Sequence, residues 1–166
     1  LIAVEVTKHL CQTGTLYRTP EQQGYFFDAA SRTLHALAEE PFTRFLADAT
    51  DLNPTESEFN YLREHLLTEV HQRGTPTQVY RLAHYDIASH RLYVTDFGSG
   101  LWVLDGRTAT HAPNGEAGIL FAATPEATPY TYLPVGQRSA DATLAAFLEP
   151  ICFDPAARLT GEEWRD

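Results

Sequence analysis

The hydrophobic spacing changes period at Pro76, and that change decides which folds are open to this chain. From Phe42 to Val70 apolar residues recur every three or four positions, as Phe42, Phe45, Leu46, Ala49 and Leu52 and then Phe59, Leu62, Leu66 and Val70. That spacing lines one face of a helix. After Pro76 the apolar stretches become short and are parted by turn residues, at Val79–Tyr85, Arg91–Thr95, Leu101–Leu104, Thr108–His111 and Ile119–Ala122. Such runs read as consecutive antiparallel strands, a β-meander, with Ile87-Ala88-Ser89-His90, Gly98-Ser99-Gly100, Asp105-Gly106 and Asn114-Gly115 as the turns. Segregated helices and strands define the α+β class.

The remaining elements follow from local chemistry. Leu16-Tyr17-Arg18 and Gly24-Tyr25-Phe26-Phe27, parted by Pro20, with the turn Ala29–Arg32 and then Thr33–Leu37, predict an N-terminal β-hairpin between Thr13 and Leu37. Glu39 and Glu40 ahead of Pro41 suit the first turn of a helix that ends near Asn53-Pro54. Thr55, with Glu58 three residues on, predicts a capping box for the second amphipathic helix, and Gly74 after Arg73 predicts a left-handed exit. Residues 124–139 read as loop, and Ala140–Leu148 as a short C-terminal helix with Leu144, Phe147 and Leu148 inward. The expected organisation is one α+β domain over residues 1–150 and an acidic tail over 151–166, leading toward a further domain.

Composition narrows the function classes. No apolar run approaches the roughly 18 residues of a membrane span, and Leu1–Leu10 is broken by Glu5, Lys8 and His9. Cys11 and Cys152 form no motif, so a reducing, cytoplasmic setting is expected rather than a disulfide framework or zinc site. The absence of methionine, with Leu at position 1, suggests a fragment of a longer chain. The net charge is −10 and Lys8 is the sole lysine, which argues against generic affinity for nucleic acid. Charge is uneven, however. Residues 39–70 hold eight acids against two arginines, and residues 71–111 hold Arg73, Arg81, Arg91 and Arg107 against three aspartates, so a nucleic acid would approach the strands.

Short motifs assign no catalytic residue, cofactor or metal. Asp96-Phe97-Gly98 after His90-Arg91 looks kinase-like, but no Gly-rich loop or strand lysine accompanies it, and hairpin chemistry explains it. Gly98-Ser99-Gly100 is a turn, and His65 and His71, six apart, point to different helix faces. His84 and Asp86 share a strand face and, with His90, offer a small metal or acid–base site, for which the plain reading is a hydrogen-bonded histidine beside a turn aspartate. Strand alternation offers a surface instead. If Leu82, Leu92 and Val94 face the core, Arg81, Tyr85, Arg91 and Tyr93 lie outside together, with Trp102 nearby. Guanidinium groups on phosphates and tyrosines on bases make a single-strand binding platform, and the plain reading is a solvated sheet face.

The order of these segments, from Gly24-Tyr25-Phe26-Phe27 through the helix pair to Val79-Tyr80-Arg81-Leu82-Ala83, Leu92-Tyr93-Val94-Thr95-Asp96 and Leu101-Trp102-Val103-Leu104, resembles a region ahead of the ATPase domain in prophage-type primase-helicases and related phage or plasmid ATP-binding proteins. Pro113-Asn114-Gly115 to Ile119-Leu120-Phe121 looks like its closing strand, and Leu159-Thr160-Gly161-Glu162-Glu163 like the lead-in to a helicase core. No G-x-x-x-x-G-K-[ST] occurs, so the resemblance implies a non-catalytic accessory domain contacting single-stranded or duplex DNA or a neighbouring ATPase domain. The alternatives are a protein-interaction module whose acidic helices, through Glu56, Glu64 and Glu69, dock a basic partner, and a metal-dependent hydrolase or nuclease using His84 and Asp86.

Overall fold

The computed structural model describes residues 2–124 and 126–129. The chain divides into two units, Leu1–Tyr130 and Thr131–Asp166, and the described residues lie in the first. The expected helix at Ala140–Leu148, Cys152 and the acidic tail lie outside the described residues. The first unit is α+β as expected, but it opens on a helix the sequence reading passed over. This is α1, Ile2–Thr13. Ala3, Thr7 and Leu10, at helical spacing, are its buried residues, and Lys8 pairs with Glu5 one turn earlier at 2.7 Å.

The expected hairpin is three antiparallel strands, β1 (Gly14–Arg18), β2 (Gly24–Asp28) and β3 (Thr33–Ala36). A short β4 (Thr75–Pro76) lies parallel to β1 at the far edge, giving the order β3-β2-β1-β4. Helix α2 (Glu40–Thr50) starts where Pro41 allows and stops at Asp51, whose φ of 56° breaks the helix ahead of Asn53-Pro54. Helix α3 (Ser57–Arg73) starts without the capping box. The Thr55 hydroxyl donates to Asn53 Oδ1 at 2.9 Å in a local turn, and Glu58 accepts from Ser57; a side-chain turn at Asn53 thus takes the group the cap needed. Gly74 is not left-handed, since its φ is −59°. It is required for closeness instead, because a Cβ there would sit 2.4 Å from the Val70 carbonyl oxygen.

All three helices cover one face of this sheet, burying Leu10, Leu16, Phe26, Phe42, Leu46, Phe59, Leu62, Leu66 and Val70 in one cluster. Each such side chain contributes roughly 1.5–3 kcal/mol on burial. The other face carries Tyr25, Phe27 and Leu34 and is covered by Leu120 and Ala122.

Two expectations about the strands change. Val79–Tyr85 is not one strand, because the chain bends at Arg81-Leu82 and separates β5 (Val79–Tyr80) from β6 (Ala83–Asp86). The last strand among the described residues, β10 (Leu120–Phe121), leaves the meander and pairs in parallel with β5. Asn114 enforces this. It is buried, its amide donates to the Phe121 carbonyl and its Oδ1 accepts the Phe121 N–H, both at 2.9 Å, so one side chain imitates a strand partner. The meander proper is β6, β7 (Arg91–Thr95), β8 (Gly100–Leu104) and β9 (Ala109–Pro113), in that order.

Candidate interaction surface

The register of the meander settles which residues share a face. Asp86 closes the turn Ile87–His90 opposite Arg91: its Oδ1 accepts the Ala88 N–H at 3.0 Å and its Oδ2 the Ser89 hydroxyl at 2.6 Å, while His90 takes a φ of 53°. These bonds hold the Asp86 carboxyl below the ordinary carboxylate range, with the Ser89 hydroxyl the largest contributor. Hence His84 stands opposite Tyr93, and Tyr85 opposite Leu92. A shift of one residue in register exchanges the faces of a strand.

The expected platform is therefore divided. Tyr93 is 6% exposed and packs with Leu101 and Phe121 on the inner face. Arg91, two residues away, shares that inner side at its exposed end. Tyr85 lies on the outer face with Leu92 and Leu104, and Trp102 on the same face is partly buried beside His111 at 4.8 Å. Arg81 stands on the bend between β5 and β6 and pairs with Glu39 at 3.3 Å. Leu82, expected in the core, is 63% exposed. Leu92 and Val94 are only partly buried, on the outer face.

The outer corner of the meander is apolar instead. Leu82, Tyr85 at 51% and Ile87 at 76% exposure stand on or beside β6. The Tyr85 hydroxyl meets His90 Nδ1 at 3.0 Å, which fixes the ring above the turn. The proposed His84–Asp86 site is spent on structure: His84 stacks on Tyr80 at 4.0 Å and Asp86 closes the turn. Among the described residues, no group of three or more His, Cys, Asp or Glu is placed to hold a metal ion.

One pairing escaped the sequence reading. His111 Nε2 lies 2.7 Å from Asp96 Oδ2, and Asp96 Oδ1 accepts the N–H groups of Gly98 at 2.6 Å and Gly100 at 3.1 Å. Burial opposes ionisation of Asp96, but the His111 contact and the two amides outweigh it and hold the carboxyl below the usual range. The kinase-like string is thus a turn, with Phe97 at a φ of 60°. The only sequence signal was Gly100, whose missing side chain makes room for the pair: a Cβ there would lie 2.5 Å from His111 Nε2 and 2.7 Å from Asp96 Oδ2. An aspartate orienting a histidine can serve acid–base chemistry. Here the same carboxylate is committed to the turn amides, which makes the pair a clasp across β7, β8 and β9.

A concavity of about 400 Å³ between α1, α3 and β1 is lined by Thr7, Lys8, Cys11, Glu69 and Arg73. Its charges are already matched, Lys8 with Glu5 and Arg73 with Glu69 at 3.4 Å. Burial and the nearby Glu69 push the Cys11 thiol up, so it is a poor nucleophile despite Arg73. Among the described residues no helix is long and apolar enough to cross a membrane. Comparison with protein-family models, with curated proteins and with solved structures gives no match.

Proposed function

We propose that this chain is a non-catalytic accessory domain that acts by contacting protein, through the outer corner of the β6–β9 meander. The observation that carries this reading is the exposure of Tyr85 on the hydrogen-bonded strand β6, with Leu82 exposed just before that strand and Ile87 just after it. Large apolar side chains left exposed along one sheet edge point to an association site. The resemblance in element order to the region ahead of a primase-helicase ATPase supplies a setting, a domain placed beside a replication ATPase.

Nucleic acid is the weaker partner on the same geometry. Tyr93 is turned inward, Arg81 is engaged by Glu39, and the chain carries a net charge of −10 that repels phosphate. The acidic helices are also a weaker docking surface. Glu69, one of the three acids expected there, is 19% exposed and paired with Arg73, and Glu40 is paired with Arg44.

Site-specific photo-crosslinking separates these readings. A photoreactive residue at Ile87 is expected to give nuclease-resistant protein adducts, lost when Tyr85→Lys is added, while one at Glu64 gives none. Adducts from Glu64 alone would move the contact to the helices, and nuclease-sensitive adducts at Ile87 would overturn the protein reading.

A further inference from the structure

Strand β6 is at one end of its sheet, and among the described residues no strand pairs with its outer side. Its inner hydrogen bonds are fixed by register. Thr95 donates to the Leu82 carbonyl at 3.1 Å, and His84–Tyr93 and Asp86–Arg91 continue the same alternation, so Leu82, His84 and Asp86 turn their backbone groups inward. In an antiparallel ladder the residues between them turn theirs outward. Ala83 and Tyr85 therefore present N–H and C=O groups at the edge.

Such an edge is normally guarded by Lys, Pro, a bulge or a covering element. The opposite edge, β9, has exposed Thr110 and His111 and ends on Pro113. Strand β6 has no lysine or proline, and Leu82, Tyr85 and Ile87 are three of the five exposed large hydrophobic residues described.

We propose that β6 pairs antiparallel with β6 of a second copy of this chain, about a twofold axis at Tyr85. This rests on the contact surface proposed above and names its partner. Symmetry requires facing residues to lie on the same side of the joined sheet, which leaves registers centred on a residue rather than between two. Centred on Tyr85, the strands place Tyr85 against Tyr85 of the second copy and Ala83 against Ile87 of the second copy on the outer face. On the inner face His84 meets Asp86 of the second copy, and Asp86 meets His84 of the second copy. Backbone groups that point outward meet each other, apolar side chains meet apolar ones, and an imidazole meets a carboxylate on both sides of the axis. Centred on His84, the same strands would oppose two imidazoles and leave Ile87 outside the pairing. Matching of apolar side chains, and of an imidazole with a carboxylate that can accept a further hydrogen bond beside those from Ala88 and Ser89, thus favours a second copy of β6 and this register.

The two copies repel, each with a net charge of −10. Screening weakens that repulsion while leaving backbone pairing and apolar contact in place. Association therefore strengthens with salt, opposite to phosphate binding.

Sedimentation velocity on the 166-residue chain over a concentration series, at low and moderate salt, tests this. The expected result is a monomer–dimer equilibrium that tightens with salt. Tyr85→Lys and Ile87→Lys should each raise the dimer Kd by at least about tenfold, whereas Tyr61→Lys, at an exposed site on α3, leaves it unchanged. Ile87 is the more exposed of the two sites, so its variant retains the fold, which circular dichroism checks. In a background with Cys11→Ser and Cys152→Ser, Tyr85→Cys should oxidise to a disulfide-linked dimer, because facing residues in such a ladder lie within bonding reach, while His84→Cys does not. A monomer at every concentration, a dimer indifferent to both lysine variants, or linkage through His84→Cys alone would overturn the proposal. Protein adducts at Ile87 with a strictly monomeric chain would sink the second copy as partner and leave the contact function standing.

Discussion

Gly100→Ala tests the clasp across the meander most sharply. The added methyl would fall 2.5 Å from His111 Nε2 and 2.7 Å from Asp96 Oδ2, closer than carbon approaches nitrogen or oxygen without bonding. Either the 2.7 Å contact between His111 and Asp96 opens or β8 shifts against its neighbours. Losing a hydrogen bond to a charged group costs about 1.5–3 kcal/mol, toward the lower end here because His111 is half solvated. Overpacking adds about 1–3 kcal/mol, and the better strand propensity of Ala returns about 0.5–1 kcal/mol. The expected net loss is about 2–3 kcal/mol, read as a lower urea midpoint with unchanged slope. In a His111→Ala background the ring is gone, and the same substitution should cost less than about 1.5 kcal/mol, since only the Asp96 contact remains. Gly100→Ala within about 0.5 kcal/mol of the parent chain would refute the reasoning.

Other expectations follow from single groups. Because the folded chain holds the Asp96 carboxyl low, its ionisation stabilises the fold at neutral pH, and that contribution disappears as pH falls through the folded value; the stability gap between the parent and Asp96→Asn should close below about pH 4, and a constant gap down to acid would contradict it. Burial lowers the proton affinity of His35, only partly offset by Asp28, and its ring stacks on Phe45 at 4.9 Å. His35→Phe should therefore remove stability loss below about pH 6.5, where the unfolded histidine gains a proton first; an unaltered acid limb in thermal melts would argue otherwise. Asn114→Ala leaves both Phe121 backbone groups without a partner in the interior and should cost about 2–4 kcal/mol by denaturant unfolding, while Arg81→Ala, at a mostly exposed ion pair, should cost under about 1 kcal/mol.

What could be read from the sequence and what could not divide along physical lines. Pro41, the Phe42–Leu46 spacing and the Phe59–Val70 stripe fix helices locally, so α2 and α3 were legible. Turn residues located β7, β8 and β9 for the same reason. Helix α1 was missed because its buried stripe runs through Thr7, a polar residue that hydropathy does not count. The surface failed on one residue of register: the turn closed by Asp86 and Arg91 sets Tyr85 beside Leu92 and sends Tyr93 inward, and alternation within each strand cannot choose between the two pairings. The Asp96–His111 clasp joins residues from separate strands around a glycine, a contact that exists only once the strands are registered.

A domain that meets protein, as proposed above, should not hold nucleic acid. Fluorescence anisotropy with labelled single-stranded and duplex DNA, at low and moderate salt, tests it directly. No binding is expected in either condition. Binding that weakens with salt and vanishes when Arg81 and Arg91 are both replaced by alanine would contradict it.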